Sequence, residues 1–131
     1  MKYCFYFLLA SLILTSVSCK KSDSSPTNQE TKITITVKDG TGATMPNITV
    51  YQINEGQYNA FGADPFYKDQ QSVTAASGIA TFIIDPIFFN TGGQKTFYFF
   101  IKYTVGGTNK TKVFGTTLSK GETKSGDLIM D

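Results

Sequence analysis

Four carboxylates in the middle of the chain, Glu55, Asp64, Asp69 and Asp85, are the residues whose type and spacing could do chemistry. Two suitably placed acids are enough for glycoside hydrolysis. Little accompanies them. The chain has no histidine, which removes the commonest general base and metal ligand together and excludes a Ser–His–acid triad. Its cysteines are Cys4 and Cys19, so a thiolate or imidazole zinc site cannot be assembled. Asp39-Gly40-Thr41-Gly42 lacks the repeated acids of a calcium loop and the lysine and following helix of a phosphate loop. It reads as a turn. The four acids are expected to be solvated loop carboxylates, and the chain to be non-catalytic, with no cofactor and no metal. All 12 cationic residues are lysine, against 10 acidic ones. A near-neutral balance without arginine gives no phosphate-neutralising surface, so nucleic acid is not an expected partner.

The remaining side chains with binding chemistry are aromatic. Along Thr96 to Thr104, strand alternation places Phe97, Phe99, Ile101 and Tyr103 on one face and Tyr98, Phe100 and Lys102 on the other. The first face is core. Tyr98 and Phe100 then point outward unless a loop covers them, and residues 55–71 supply a long aromatic insertion carrying Tyr58, Phe61, Phe66 and Tyr67. Exposed aromatics stack on sugars and dominate protein interfaces, so these six residues form the candidate binding loop and face. Because large apolar patches are uncommon on monomers, the insertion is expected to fold across the sheet. Within it, Phe61 or Phe66 is expected to anchor the loop, and Tyr58 or Tyr67 to face solvent with a free hydroxyl. Replacing the insertion by an Asn-Gly turn is expected to leave the domain folded. Phe88-Phe89 reads as a plug at one end of the domain or as a loop contact.

The elements that must position these residues read as strands and turns. Thr31 to Lys38 alternates strictly, with Ile33, Ile35 and Val37 on one face. Further strands are expected at Ile48 to Ile53, Val73 to Ala76, Ile79 to Ile84, Thr96 to Thr104, Lys110 to Thr116 and Ser125 to Met130. Ser77-Gly78 has the chemistry of a two-residue hairpin turn. No window holds apolar residues at helical spacing for three turns. The expected fold is all-β, a single antiparallel sandwich of about seven strands over residues 31–131. Its core is expected to contain Ile33, Ile35, Val37, Val50, Phe82, Phe97, Phe99 and Ile101.

Ahead of this domain, Lys2 precedes an uncharged run from Cys4 to Ser18, and Ser16-Val17-Ser18 leads into Cys19-Lys20-Lys21. The run falls short of the roughly 20 apolar residues a spanning helix needs. It resembles bacterial lipoprotein signals, whose retained cysteine becomes the acylated N-terminus. The resemblance implies removal of residues 1–18, lipidation of Cys19 and export to the cell envelope, with the outer membrane as the expected location and the leaflet open. An ordinary cleaved signal and an uncleaved short anchor are the alternatives. Residues 19–30 would then be the lipidated cysteine and a disordered tether, since residues 20–30 carry no large apolar side chain.

Val37-Lys38-Asp39, Pro46-Asn47-Ile48-Thr49-Val50, Thr74 to Phe82 and Tyr98-Phe99-Phe100-Ile101 together resemble the transthyretin-like, carboxypeptidase-regulatory-like β-sandwich. Invasin-type bacterial immunoglobulin-like domains share that signature. Either resemblance implies a seven-stranded Greek-key sandwich doing non-catalytic work. Two functions follow as expectations. One is a lipid-anchored binding module for a glycan, peptide or partner protein. The other is a structural accessory of an envelope complex with no ligand of its own. The oligomeric state is left open.

Overall fold

In the computed structural model, which describes residues 29–131, the chain runs through seven strands and three short helical segments. They are β1 (Thr31–Lys38), β2 (Thr49–Asn54), α1 (Glu55–Phe61), a 3-10 turn at Pro65–Tyr67, β3 (Gln70–Val73), β4 (Ile79–Ile84), a second 3-10 turn at Pro86–Phe89, β5 (Gln94–Val105), β6 (Thr108–Ser119) and β7 (Thr123–Ile129). The expected signal, Cys19 and the expected tether as far as residue 28 lie outside the described residues.

The strands form an all-β sandwich. One sheet has the order β4-β1-β7 and the other β3-β2-β5-β6. The alternation in β1 turns Ile33, Ile35 and Val37 into the interior and Lys32, Thr34, Thr36 and Lys38 outward. β4 alternates in the same way, with Ala80, Phe82 and Ile84 buried. The sheets meet where Phe82 of β4 packs edge-on against Phe99 of β5, ring centroids 5.1 Å apart. Each of the expected core residues is buried, and Ala80, Ile84, Phe89, Leu118 and Leu128 join them. No helix among the described residues is long and apolar enough to cross a membrane.

Three local expectations are corrected. β1 and β7 pair in parallel, so the sandwich is not purely antiparallel. Ser77-Gly78 does make a tight turn, with Gly78 N–H donating to Ala75 O and Ala75 N–H to Ile79 O. Yet β3 pairs with β2 and β4 pairs with β1, so the turn carries the chain between sheets instead of closing a hairpin. Buried Thr74 fixes that corner, its hydroxyl accepting from Ile48 N–H and donating to Met45 O. Finally, the insertion contains a helix, and Gln70 and Gln71 belong to β3.

At the end opposite the insertion, the C-terminal residue ties β6 and β5 together. Lys112 Nζ lies 2.8 Å from Asp131 Oδ1 and Lys110 Nζ 3.7 Å from Oδ2, while Asp131 N–H donates to the Tyr103 hydroxyl at 3.1 Å. The Lys112 hydrogen bond holds the Asp131 carboxyl below its ordinary 3.8 and raises Lys112 above 10.5. Asp39 is likewise lowered, first by the Thr41 hydroxyl, and Glu122 first by Ser119 N–H. A depressed carboxylate adds stability that is present above its unfolded value and is lost as pH falls through its folded one. The raised lysine adds stability that is lost as pH rises through its folded value. Thermal melting should therefore hold level between about pH 5 and pH 10 and decline below about pH 4. Asp131→Asn should shallow the acid limb slightly, because exposed pairs contribute little. An acid limb of the same depth after Asp39→Asn and Asp131→Asn together would exclude this account.

Candidate functional site

The insertion is built from helix-starting and turn-starting side chains. Asn54 ends β2 and caps α1, its Oδ1 accepting from Gln57 N–H at 3.1 Å. This Asn-x-x-Gln spacing is a helix-start signal visible in the sequence. Gly62, at φ 72°, closes the helix and donates to Tyr58 O at 2.7 Å. Asp64-Pro65 then opens the first 3-10 turn, with Asp64 Oδ1 accepting from Phe66 N–H at 3.0 Å. Asp85-Pro86 repeats the device at the end of β4, where Asp85 Oδ1 accepts from Ile87 N–H at 2.9 Å.

A polar network around Asp69 fixes the insertion in place. Gln52 Nε2 donates to Asp69 Oδ2 at 3.0 Å, and Asn54 Nδ2 reaches both carboxylate oxygens at 3.0 and 3.1 Å. Asp69 N–H donates to Gln52 O at 2.8 Å. The end of the Gln57 amide that Asn54 Nδ2 meets at 2.8 Å also lies 2.9 Å from Asp69 Oδ1 and from Tyr67 O. Asp69 thus gathers two side-chain amides of β2 onto one carboxylate at the foot of α1.

The six aromatic candidates divide into a covered set and an exposed set. On the outer face of the larger sheet, Ile53 and Phe100 are fully buried where α1 packs across β2 and β5. Tyr51 lies beside Phe100, centroids 5.3 Å apart. Tyr58 of α1 stacks on Tyr98 at 3.8 Å and 15°. Gly115 on β6 leaves room for Tyr98, since a Cβ there would sit 2.8 Å from the ring. The insertion therefore folds across the sheet, as expected.

The anchoring roles within it are the reverse of the expectation. Tyr58 and Tyr67 are half-buried, whereas Phe61 is 51% exposed and Phe66 83% exposed. Phe61 stacks on Tyr67 at 3.7 Å and 8°, and Phe66 meets Tyr67 edge-on at 5.0 Å. A tyrosine can bury its ring while leaving the hydroxyl at the rim, which suits it to the edge of a covered face. The phenylalanines are left as an outward cluster.

Behind the insertion, a groove of 570 Å³ separates it from the Asp85–Phe89 segment. Gln52, Asp69 and Gln70 line one wall, and Ile83, Asp85, Ile87 and Phe88 line the other. A neighbouring hollow of 390 Å³ shares Ile87 and Phe88 and adds Glu55 and Lys95. Of the four carboxylates singled out in the sequence, Asp69 and Asp85 meet in one groove and Glu55 lies in the next. Asp64 serves the first 3-10 turn. Among the described residues no group of three or more Cys, Asp or Glu is placed to hold a metal ion. Phe89 is buried, and it and Phe88 both pack on Phe97, at 6.2 and 5.4 Å. They plug the end of the sandwich.

No family model matches the chain, and no curated protein matches it. Among solved structures, a 9R-lipoxygenase from Cyanothece PCC8801 aligns at a TM-score of 0.40 and 15% identity, over 78% of this chain and 16% of that one.

Proposed function

We propose that this chain is an exported cell-envelope lipoprotein, anchored in the outer membrane through lipidated Cys19. Its transthyretin-like or immunoglobulin-like sandwich acts as a non-catalytic binding module for a glycan, peptide or partner protein. One observation carries the recognition part of this reading. The insertion is ordered by its own polar network, yet it holds Phe66 and Phe61 outward against Tyr67. Clustered aromatics fixed before binding lose little conformational entropy on contact, the arrangement that interface hot spots use. A second reading, a structural accessory without a ligand, is favoured by the insertion's being packed shut over Tyr98 and Phe100.

Two measurements test the proposal. The membrane-extracted protein should lack residues 1–18 and carry a diacylglyceryl mass on Cys19. A full-length unmodified chain would overturn the anchoring. Partners captured from envelope extracts or a glycan array should lose affinity about tenfold or more with Phe61→Ala or Phe66→Ala, as hot-spot truncations do. Melting should be unchanged, because both rings are exposed. Retained affinity in both variants would remove the insertion from recognition and leave the accessory reading.

A further inference from the structure

We propose that the groove between the insertion and the Asp85–Phe89 segment binds an alkylammonium group, that of a lysine side chain on a partner polypeptide. The first observation is a buried amide with one end unsatisfied. Gln52 is fully buried and lines the groove. Its Nε2 is held by Asp69, while its Oε1 has no hydrogen-bond partner among the described residues. A buried carbonyl oxygen without a donor is uncommon in folded proteins and marks a place where a donor is missing.

The second observation is the charge of the surroundings. Asp69 and Asp85 face the groove, and Glu55 faces the adjoining hollow. Among the described residues the ion pairs engage Asp127, Asp131 and Glu122, and none of these three carboxylates. Lys95, the one lysine along the two linings among the described residues, spends its Nζ on Thr91 O and Oγ1, both at 3.3 Å. Two other amide donors lie nearby: Gln70 Nε2 is taken by Ile83 O at 3.0 Å, and Asn54 Nδ2 by Asp69. Asp85 Oδ1 is used by Ile87 N–H, and no donor among the described residues is bonded to Oδ2. The groove therefore presents acceptors and negative charge, with its own donors already engaged.

The shape of the wall selects among cationic donors. Ile83, Ile87 and Phe88 give an apolar side to the groove, and Ile87 is 64% exposed. An ammonium donates three hydrogen bonds from one point and trails a methylene stem that seeks apolar contact. A guanidinium is a rigid fork suited to paired carboxylate oxygens, and a lone amide oxygen does not match it. A sugar hydroxyl would seek donors as well as acceptors. A divalent ion would seek a ligand cluster, which is absent among the described residues. Phe61 and Phe66 do not line the groove, so this site stands or falls separately from the exposed aromatic cluster.

The test is an NMR titration of the nitrogen-15-labelled full chain with N-acetyl-lysine methylamide, following the Gln52 side-chain amide. A saturating shift is expected, weakened by added salt and weakened about fivefold by Asp85→Asn. That substitution keeps the acceptor for Ile87 N–H, so the local turn is retained. Phe66→Ala should leave the titration unchanged. The proposal is overturned if Gln52 does not respond, which would leave its oxygen to an ordinary buried water. It is equally overturned if the neutral N-acetyl-norleucine methylamide shifts it as much, if calcium chloride saturates it in place of the lysine probe, or if Asp85→Asn has no effect.

Discussion

Phe99→Ala is expected to lower the free energy of unfolding by about 3–5 kcal/mol, the range for deleting a buried phenylalanine. Phe99 is fully buried at the middle of β5, with Gln52 and Phe114 as its strand neighbours. Across the interior it meets Phe82 of the other sheet. Its removal opens a void at the contact between the two sheets, where neither backbone can move inward without breaking its own ladder. Nothing covalent offsets the loss, because the described residues contain no cysteine. Domains of this size hold roughly 5–15 kcal/mol in all, so the variant should lose a large share of its stability. Phe66→Ala supplies the internal comparison, since the same atoms are removed from a ring that is 83% exposed. Its change should stay within about 0.5 kcal/mol. Urea unfolding of both variants is the measurement. Equal midpoints would mean that Phe99 does not hold the sheets together.

What the sequence reveals and conceals here follows the range of the interactions involved. β1, β4 and β5 announce themselves because a period of two needs only neighbouring residues, and the inward residues of each strand are buried as the alternation requires. Sheet partners are a matter of distant contacts. The Ser77-Gly78 turn has the same local chemistry whether its flanking strands pair or part. Only the docking of β3 on β2 and of β4 on β1 decides. The parallel β1–β7 pair is the meeting of the first and last strands and leaves no trace in either. The short helix α1 had a signal, Asn54 followed three residues later by Gln57. A scan for three turns of apolar spacing passes over it because the helix has only seven residues.

The candidate site divides along the same line. An insertion rich in aromatics is conspicuous by composition, and its folding over Tyr98 and Phe100 follows from the cost of leaving them bare. Which rings anchor it is not legible, because that depends on where Gly115 makes room for Tyr98 and hence for Tyr58 to stack upon it. The groove is hidden altogether in the sequence. Gln52, Asp69 and Asp85 come from β2, the end of the insertion and the end of β4, and two strand pairings in different sheets bring them to one place.

Excising the insertion, with Asn-Gly in place of residues 55–69, is expected to cost about 3–6 kcal/mol, where the sequence alone suggests a domain that stays folded. The estimate takes about 1.5–3 kcal/mol for returning each of two large buried side chains to water. Those side chains are Ile53 and Phe100, which lie fully buried on the outer face of the larger sheet, where α1 packs. Loss of Asp69 also strips the Gln52 amide of its partner, and an unpaired buried donor adds about 1–3 kcal/mol. Shortening the connection works the other way, but each halving of a loop recovers only about 0.6 kcal/mol of closure entropy. Burial wins. A variant that also carries Phe100→Thr and Ile53→Thr should regain solubility and part of its urea midpoint, since threonine suits a solvated strand face. If the simple excision unfolds at the wild-type midpoint, the insertion contributes nothing to the sandwich and its order comes from Asp69 alone. If the repaired excision is no better than the simple one, the outer face does not depend on the insertion for cover. Recognition is therefore best probed with Phe61 and Phe66, which can be removed without uncovering that face.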